Sequence, residues 1–322
     1  MTNAIEAEGL RKEFPGGVTA VDGIDLAVPE GGIFGFLGPN GAGKSTTIRI
    51  LTTLLRPTAG RARVAGFDIA ERPNEVRRAI GVALQEVGLD RLATGRELLV
   101  LQARLHGLRG AEPAAHAAEM LDLVGLTEAA DRRIGTYSGG MRRRLDLASA
   151  LIHGPRILFL DEPTSGLDPA SREVVWERIR WLNREEGITV FLTTQYLEEA
   201  DALTHRLAII DHGRIVAEGS PERLKRSIGA DVVTVAIADR HVEAGRQALA
   251  GLHGLKEARA DAFGLTLFVN DGTGVVSEVV RRLDAAEVPS GAVSVSRPTL
   301  DEVFLRATGS RLEGSGATEE GS

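Results

Sequence analysis

Gly38-Pro39-Asn40-Gly41-Ala42-Gly43-Lys44-Ser45 stands directly after the apolar run Ile33–Leu37 and directly before a stretch of helical character from about Thr46. Two glycines, a lysine and a serine at this spacing, between a strand and a helix, make a phosphate-binding loop. The glycines let successive backbone N–H groups turn inward onto phosphate oxygens, and the helix start adds its partial positive charge. Lys44 is expected to reach the β and γ phosphates, the Ser45 hydroxyl to ligate Mg²⁺, and Thr46 to complete the phosphate-contacting run. A glycine-rich turn with an incidental lysine is the alternative, and it fits poorly in a chain whose only lysines are Lys12, Lys44, Lys225 and Lys256.

A second signal lies further along, where Ile157-Leu158-Phe159-Leu160 runs into Asp161-Glu162. Four apolar residues ending in two carboxylates read as a strand whose C-terminal end faces the ligand, as α/β sheets arrange it. An acidic strand end taken alone is a solvated turn or a helix cap. Beside a phosphate loop, Asp161 is expected to hold Mg²⁺ and its water, and Glu162 to polarise an attacking water. Ile33–Leu37, Ile157–Leu160 and Ile188–Thr193 are continuous apolar or β-branched runs, the pattern of strands buried on both faces of a mostly parallel sheet. Residues from about 90 to 135 contain no such run and are rich in Ala, Leu, Arg and Glu, with Gly107, Gly110 and Pro113 as punctuation, which predicts an inserted helical subdomain. Arg206–Ile210 and Arg214–Glu218, about a turn at Asp211-His212-Gly213, read as a hairpin that closes the sheet. The fold class is therefore α/β: a P-loop nucleotide-triphosphatase domain over residues 1–220 with a helical insertion.

Gly219-Ser220-Pro221 punctuates the chain and starts a short helix, and a second α/β unit of residues 221–308 follows. Its expected strands are Asp231–Ile237, Leu265–Val269 and Val293–Ser296. Its expected helices are His241–Leu252 and Val275–Leu283, the latter with Val275, Val276, Val279, Val280 and Leu283 on one face. Thr299 and Glu302 form a capping box that opens a last helix with Val303, Phe304 and Leu305. No catalytic cluster falls in this unit, and residues 309–322, almost without apolar side chains, are expected to be a disordered tail.

Composition narrows the function further. No stretch of the 322 residues approaches the roughly 18 consecutive apolar residues of a membrane span. Met1–Gly9 has neither the apolar run of a secretory signal nor the basic character of a transit peptide, which places the chain in the cytosol. With no cysteine there is no disulfide, thiolate metal site or cysteine nucleophile, and a formal charge of −7 disfavours nucleic acid as a partner.

Tyr137-Ser138-Gly139-Gly140-Met141 precedes Asp161 by about 20 residues, and with Gln85 and Ser165-Gly166-Leu167-Asp168 it completes an ordered series that resembles the ATP-binding cassette (ABC) family over roughly residues 4–220. The resemblance implies ATP and Mg²⁺ as ligands. It makes Phe14, otherwise a core or loop aromatic, the surface on which adenine stacks. It makes Gln85 the glutamine that links Mg²⁺ to the membrane-facing helices. Ser138, Gly139, Gly140 and Met141 become the signature that caps the γ-phosphate of ATP held by the other subunit, and Asp168 the D-loop aspartate of that same trans contact. A hydroxyl and two backbone N–H groups at a helix start are a chemically sensible anion site. Arg142, Arg143 and Arg144, next along that helix, read as a solvated face without a catalytic role.

At the switch position, where most members of that family carry histidine, the chain has Gln195 in Thr194-Gln195-Tyr196-Leu197-Glu198-Glu199-Ala200-Asp201. A glutamine amide can donate a hydrogen bond to the γ-phosphate but cannot relay a proton, so Gln195 is expected to position the phosphate and turnover to be slow. That run, Tyr137–Arg144 and the late Pro298-Thr299-Leu300-Asp301-Glu302-Val303-Phe304-Leu305 resemble the daunorubicin/doxorubicin-resistance type of ATP-binding subunit, now to about Ala307. The resemblance implies a head-to-tail homodimer burying two ATP molecules, a separate multi-span membrane subunit, a peripheral place on the cytoplasmic face of the membrane, and efflux of amphipathic drugs or antibiotics. The rival expectations are a soluble non-transport ABC ATPase, a slow nucleotide-dependent regulatory module, and a transporter whose cargo is a lipid or lipid-linked precursor.

Overall fold

A computed structural model describes residues 2–85, 88–228, 231–261, 263–296 and 299–309. The chain divides into two compact units, with the boundary between Gly219 and Ser220. The expected tail beyond Gly309 and Pro298 of the late motif lie outside the described residues.

The first unit opens with two long strands, β1 (Asn3–Phe14) and β2 (Val18–Pro29), paired antiparallel as a hairpin. Neither contains a continuous apolar run: in β1 the buried Ile5, Ala7 and Leu10 are separated by exposed Glu6 and Glu8, the alternation of a sheet with one wet face. There follow β3 (Ile33–Leu37), α1 (Lys44–Leu51), β4 (Ala59–Val64), β5 (Phe67–Asp68), α2 (Pro73–Ala79) and β6 (Ile80–Ala83). Next come α3 (Gly95–Leu105), α4 (Glu112–Leu123), α5 (Gly139–Leu151), β7 (Ile157–Asp161), α6 (Pro169–Glu185), β8 (Thr189–Thr194), α7 (Leu197–Leu203), β9 (Arg206–Asp211) and β10 (Arg214–Gly219). One sheet is antiparallel, in the order β2-β1-β4-β5. The other, in the order β10-β9-β3-β8-β7-β6, is parallel except for β10, which pairs antiparallel with β9 as the outer arm of the hairpin.

Burial on both faces explains why the strands of the parallel sheet are apolar throughout. Phe34, Phe36, Phe159 and Phe191 face a core shared with the antiparallel sheet and α1, whereas Ile33, Leu158, Leu160, Val190 and Leu192 face α5 and α6. Phe191 is central to the first core, with the rings of Phe34, Phe36 and Phe159 at 5.7, 5.6 and 5.6 Å. The helical region closes around its own core of Leu98, Leu99, Ala103, Leu121, Ile134 and Tyr137. Helix α5 belongs to both cores: Leu145 and Ala148 face the helical region with Ile152 just after the helix, and Leu147, Ala150 and Leu151 face the sheet. Whatever α5 carries at its start is therefore mechanically tied to both parts of the unit.

The second unit comprises α8 (Pro221–Ile228), β11 (Asp231–Ile237), α9 (Val242–Leu249), β12 (Leu255–Asp261), β13 (Gly264–Val269), α10 (Gly272–Ala285), β14 (Ser290–Ser296) and α11 (Leu300–Thr308). Its sheet has the order β12-β13-β11-β14 and is antiparallel at every pairing. Between α8 and α11 this is a β-α-β-β-α-β arrangement, two interleaved split β-α-β units. Val233, Val235, Ile237, Leu265, Leu267 and Val269 pack on one face with Leu249, Val275, Val279 and Leu283. The buried stripe of α10 is thus narrower than five residues, since Val280 is exposed. Strand β12 is an element the apolar-run reading omits, because Lys256, Glu257, Arg259 and Asp261 interrupt it at the edge of the sheet. The Thr299–Glu302 capping box is formed, Thr299 N donating to Glu302 Oε2 at 2.7 Å.

Candidate nucleotide site

The phosphate loop links β3 to α1, and α1 begins at Lys44, two residues before the expected start. The reason is Gly43, which caps the helix at φ 108, in the left-handed region that glycine adopts freely. A Cβ there would stand 2.3 Å from Ala20 O on β2, so the antiparallel sheet holds the loop from behind. Gly38 N donates to Thr194 O at 3.2 Å, which joins the loop to the end of β8.

Lys44 is buried and points back over the loop, donating to Gly38 O at 2.7 Å and Pro39 O at 3.0 Å. Its Nζ is 3.3 Å from Glu162 Oε1, itself buried. Burial lowers the lysine pKa, and the charges of Glu162 and Asp161 oppose that shift. Gln85 Nε2 donates to the other carboxylate oxygen of Glu162 at 3.3 Å. Glu162 therefore lies between Lys44 and Gln85, three residues far apart in sequence.

Asp161 ends β7, and its Oδ1 accepts from Ser45 Oγ at 3.2 Å and from Thr193 Oγ1 at 2.6 Å. Thr193 also holds the next residue: Glu162 N donates to Thr193 Oγ1 at 3.1 Å and Thr193 O at 3.2 Å. Glu162 has φ 49, a left-handed conformation for a non-glycine residue. Strain of this kind costs about 1–3 kcal/mol and persists only where the surroundings over-determine it. Thr193 is one of the residues doing so, and the sequence offers no more sign of it than its place near a strand end, two residues before Gln195.

Ser138 caps α5, its Oγ accepting from Met141 N at 3.2 Å. Asp168 caps α6, accepting from Ser171 N at 2.9 Å and Ser171 Oγ at 2.6 Å, and the Ser171 hydroxyl holds its carboxyl below the ordinary range. A Cβ on Gly140 would meet Ser171 Oγ at 3.2 Å, and one on Gly139 would meet Leu167 Cδ2 at 3.9 Å. The signature and the Asp168 turn are thus neighbours. Phe14 closes β1, the residue 38% exposed and Lys12 Nζ 5.4 Å from its ring centroid. Gln195 is half-buried immediately after β8.

Two charged residues sit where their type alone gives no warning. Glu199 on α7 is fully buried, its Oε1 accepting from Thr164 Oγ1 at 2.7 Å and Trp176 Nε1 at 2.9 Å, and burial raises its pKa against those bonds. The expected solvated arginine face of α5 is not present. Arg142 donates to Tyr137 O at 2.6 Å and Arg144 to Val124 O at 2.8 Å. Arg143 is buried and donates to three backbone carbonyls, of Leu84, Asp161 and Pro163. Backbone acceptors brought in from distant segments, which a helical charge pattern does not reveal, turn these side chains inward.

Among the described residues no group of three or more His, Cys, Asp and Glu side chains could cage a metal, and no helix is long and apolar enough to cross a membrane.

Comparison with known proteins agrees with this geometry. Residues 21–165, from β2 through the Asp161-Glu162 pair, match the ABC transporter family. A daunorubicin resistance ATP-binding protein of Streptomyces coeruleorubidus is 46% identical over 318 residues, 98% of each chain. A Nod factor export ATP-binding protein I of Paraburkholderia xenovorans is 41% identical over 313 residues, 96% of this chain and 98% of its own. Among solved structures, a dimeric ATP-binding cassette in a post-hydrolysis state, bound to ADP and Pi, superposes with a TM-score of 0.62 at 26% identity, covering 67% of this chain and 98% of that one. With its phosphate loop, acidic strand end and signature helix in one unit, and relatives matching over nearly its full length, the chain belongs to the ABC transporter family as an ATP-hydrolysing nucleotide-binding subunit of the daunorubicin/doxorubicin-resistance type.

Proposed function

We propose that this ATPase drives the export of amphipathic drugs or antibiotics through a separate multi-span membrane subunit, working as a head-to-tail homodimer at the cytoplasmic face of the membrane. The observation that carries the catalytic half is Glu162 held between Lys44 and Gln85 beside the phosphate loop. Glu162 orients and activates the attacking water, Lys44 and the loop from Gly38 to Thr46 hold the phosphates, and Gln195 senses the γ-phosphate. Phe14 stacks on adenine. Ser138, Gly139, Gly140, Met141 and Asp168 of the second copy close over the nucleotide, so that ATP binding draws two chains together.

The donor set fits Mg²⁺. Ser45 hydroxyl and Asp161 carboxylate oxygens are 3.2 Å apart, close to the spacing of about 2.9 Å between adjacent oxygens in an octahedral shell of 2.0–2.1 Å bonds. With the Gln85 amide these are hard oxygen donors, too few for a complete cage, which suits an ion that keeps water and phosphate ligands. Bound there, Mg²⁺ would neutralise charge on the phosphates.

The export reading rests on the daunorubicin resistance relative, which covers the second unit as well as the first. We assign that second unit to dimer stabilisation or to docking of the membrane subunit. A second reading keeps the transport role and makes the cargo a lipid or lipid-linked compound; the Nod factor export relative favours it only in being named for a cargo other than a drug. Cells expressing the chain with and without a candidate membrane subunit, exposed to a panel of amphipathic antibiotics, separate the two. Drug export predicts lower intracellular accumulation that requires both chains. Unchanged accumulation across the panel overturns it in favour of another cargo, and recovery of ribosomes instead of a multi-span protein in a pull-down overturns transport itself.

A further inference from the structure

We propose that Arg143, with Asp146 as its counter-charge, is a positioning residue for hydrolysis that locks the backbone on both sides of Glu162 to the helix carrying the signature. The inference rests on Glu162 being the residue that orients the attacking water.

Arg143 is the fifth residue of α5, two places beyond Met141. Its Nη2 donates to Asp161 O at 2.8 Å and its Nε to Pro163 O at 2.9 Å, the carbonyls on either side of Glu162. Its Nη1 donates to Leu84 O at 2.6 Å, the carbonyl immediately before Gln85. The same Nη1 lies 3.3 Å from Asp146 Oδ2, one turn along α5. One planar group thus spans three carbonyls from two segments and a carboxylate, and the segments are the ones that place Glu162 and Gln85 against each other.

The geometry suits arginine and no other side chain. A guanidinium presents five donors in a rigid fork, whereas an ammonium is a point charge that cannot reach flanking carbonyls in fixed directions. The need is local as well: Glu162 is in the left-handed region at φ 49. A strained residue relaxes unless the peptides around it are held. Thr193 holds the N–H of Glu162, and Arg143 holds the carbonyl before it and the carbonyl after it. Because α5 starts at the signature, any shift of that helix against the sheet is felt at Glu162 through this one side chain. Asp146, with its side chain 16% exposed, keeps the buried cation from being unpaired.

Three variants, Arg143→Lys, Arg143→Met and Arg143→Met with Asp146→Leu, test this in the full-length protein, with turnover, ATP affinity and Tm measured on each. Arg143→Lys keeps a cation beside Asp146 and loses the fork. It is expected to lower Tm, because buried carbonyls lose their donors, and to hold ATP affinity within about twofold while lowering kcat at least tenfold, since a displacement of about 1 Å in a catalytic group can cost 10²-fold. The pair Arg143→Met with Asp146→Leu removes both charges, a change that is often neutral for stability. It is expected to restore any Tm lost in Arg143→Met alone without restoring kcat. A kcat that stays at the wild-type value in Arg143→Lys, or that recovers with Tm in the double variant, would show that Arg143 only stabilises the fold. Glu162→Gln serves as the control. If it retains turnover, the reading of Glu162 fails; if it is inactive while Arg143→Lys turns over normally, only the positioning role fails.

Discussion

Replacing Glu162 by glutamine is expected to lower kcat by about 10²–10⁴-fold, the range for removing a positioned general base, while ATP still binds. The substitution keeps size and one acceptor oxygen, which the bond from Gln85 at 3.3 Å can use, while the new NH2 group takes the place of the oxygen that faces Lys44. What disappears is the negative charge 3.3 Å from Lys44 Nζ and the ability to take a proton from water. Phosphoryl transfer depends mostly on alignment and charge stabilisation, and with glutamine at position 195 instead of a group that can relay protons, the glutamate is the remaining side chain suited to water activation. ATP affinity should be preserved or increased, because a buried carboxylate next to the phosphates repels them. Phosphate release and equilibrium nucleotide titration on the same preparation decide the matter: parallel losses of turnover and binding would mean that Glu162 shapes the site and does not act in the chemistry.

Lys44→Ala is expected to act on the other half of the free energy. Truncating one member of a buried charged pair costs about 2–5 kcal/mol, much of it the cost of leaving the other charge unpaired. ATP binding should therefore weaken by about 30-fold or more. Lys44 is almost completely buried, and its three partners, Gly38 O, Pro39 O and Glu162 Oε1, all lie at the proposed phosphate site. Its loss removes the cation meant for the phosphates and leaves a buried carboxylate uncompensated. A titration giving the wild-type dissociation constant for Lys44→Ala would place the nucleotide somewhere other than this loop.

The parts of this molecule that the sequence reveals are those in which one segment carries the whole signal. The strands Ile33–Leu37 and Ile157–Asp161 are buried on both faces, so up to Leu37 and Leu160 they read as unbroken apolar runs, and the proposed site begins at their C-terminal ends. The loop from Gly38 to Ser45 is legible because its glycines and lysine answer one local requirement. Strands β1, β2 and β12 escape notice because only one face is buried or charged residues interrupt them. Arg143 escapes for a different reason. Three consecutive arginines on a helix describe a wet surface unless something polar and buried awaits them. Here it is carbonyls from residues 84, 161 and 163, which only the folded chain brings to α5. The same holds for Thr193 and Glu199, whose partners lie 32 and 35 residues away in sequence. The residues proposed for catalysis are therefore visible as types and spacings, and the groups that hold them in place are not.

ATP-dependent uptake of a fluorescent amphipathic antibiotic into inside-out membrane vesicles, carrying this chain together with a candidate membrane subunit, tests the proposed export most directly. Uptake should require ATP and both chains, and should vanish with Glu162→Gln although that variant still assembles on the membrane. Uptake that persists at the wild-type rate with Glu162→Gln, or in vesicles lacking this chain, would contradict the claim that ATP hydrolysis at this site powers export.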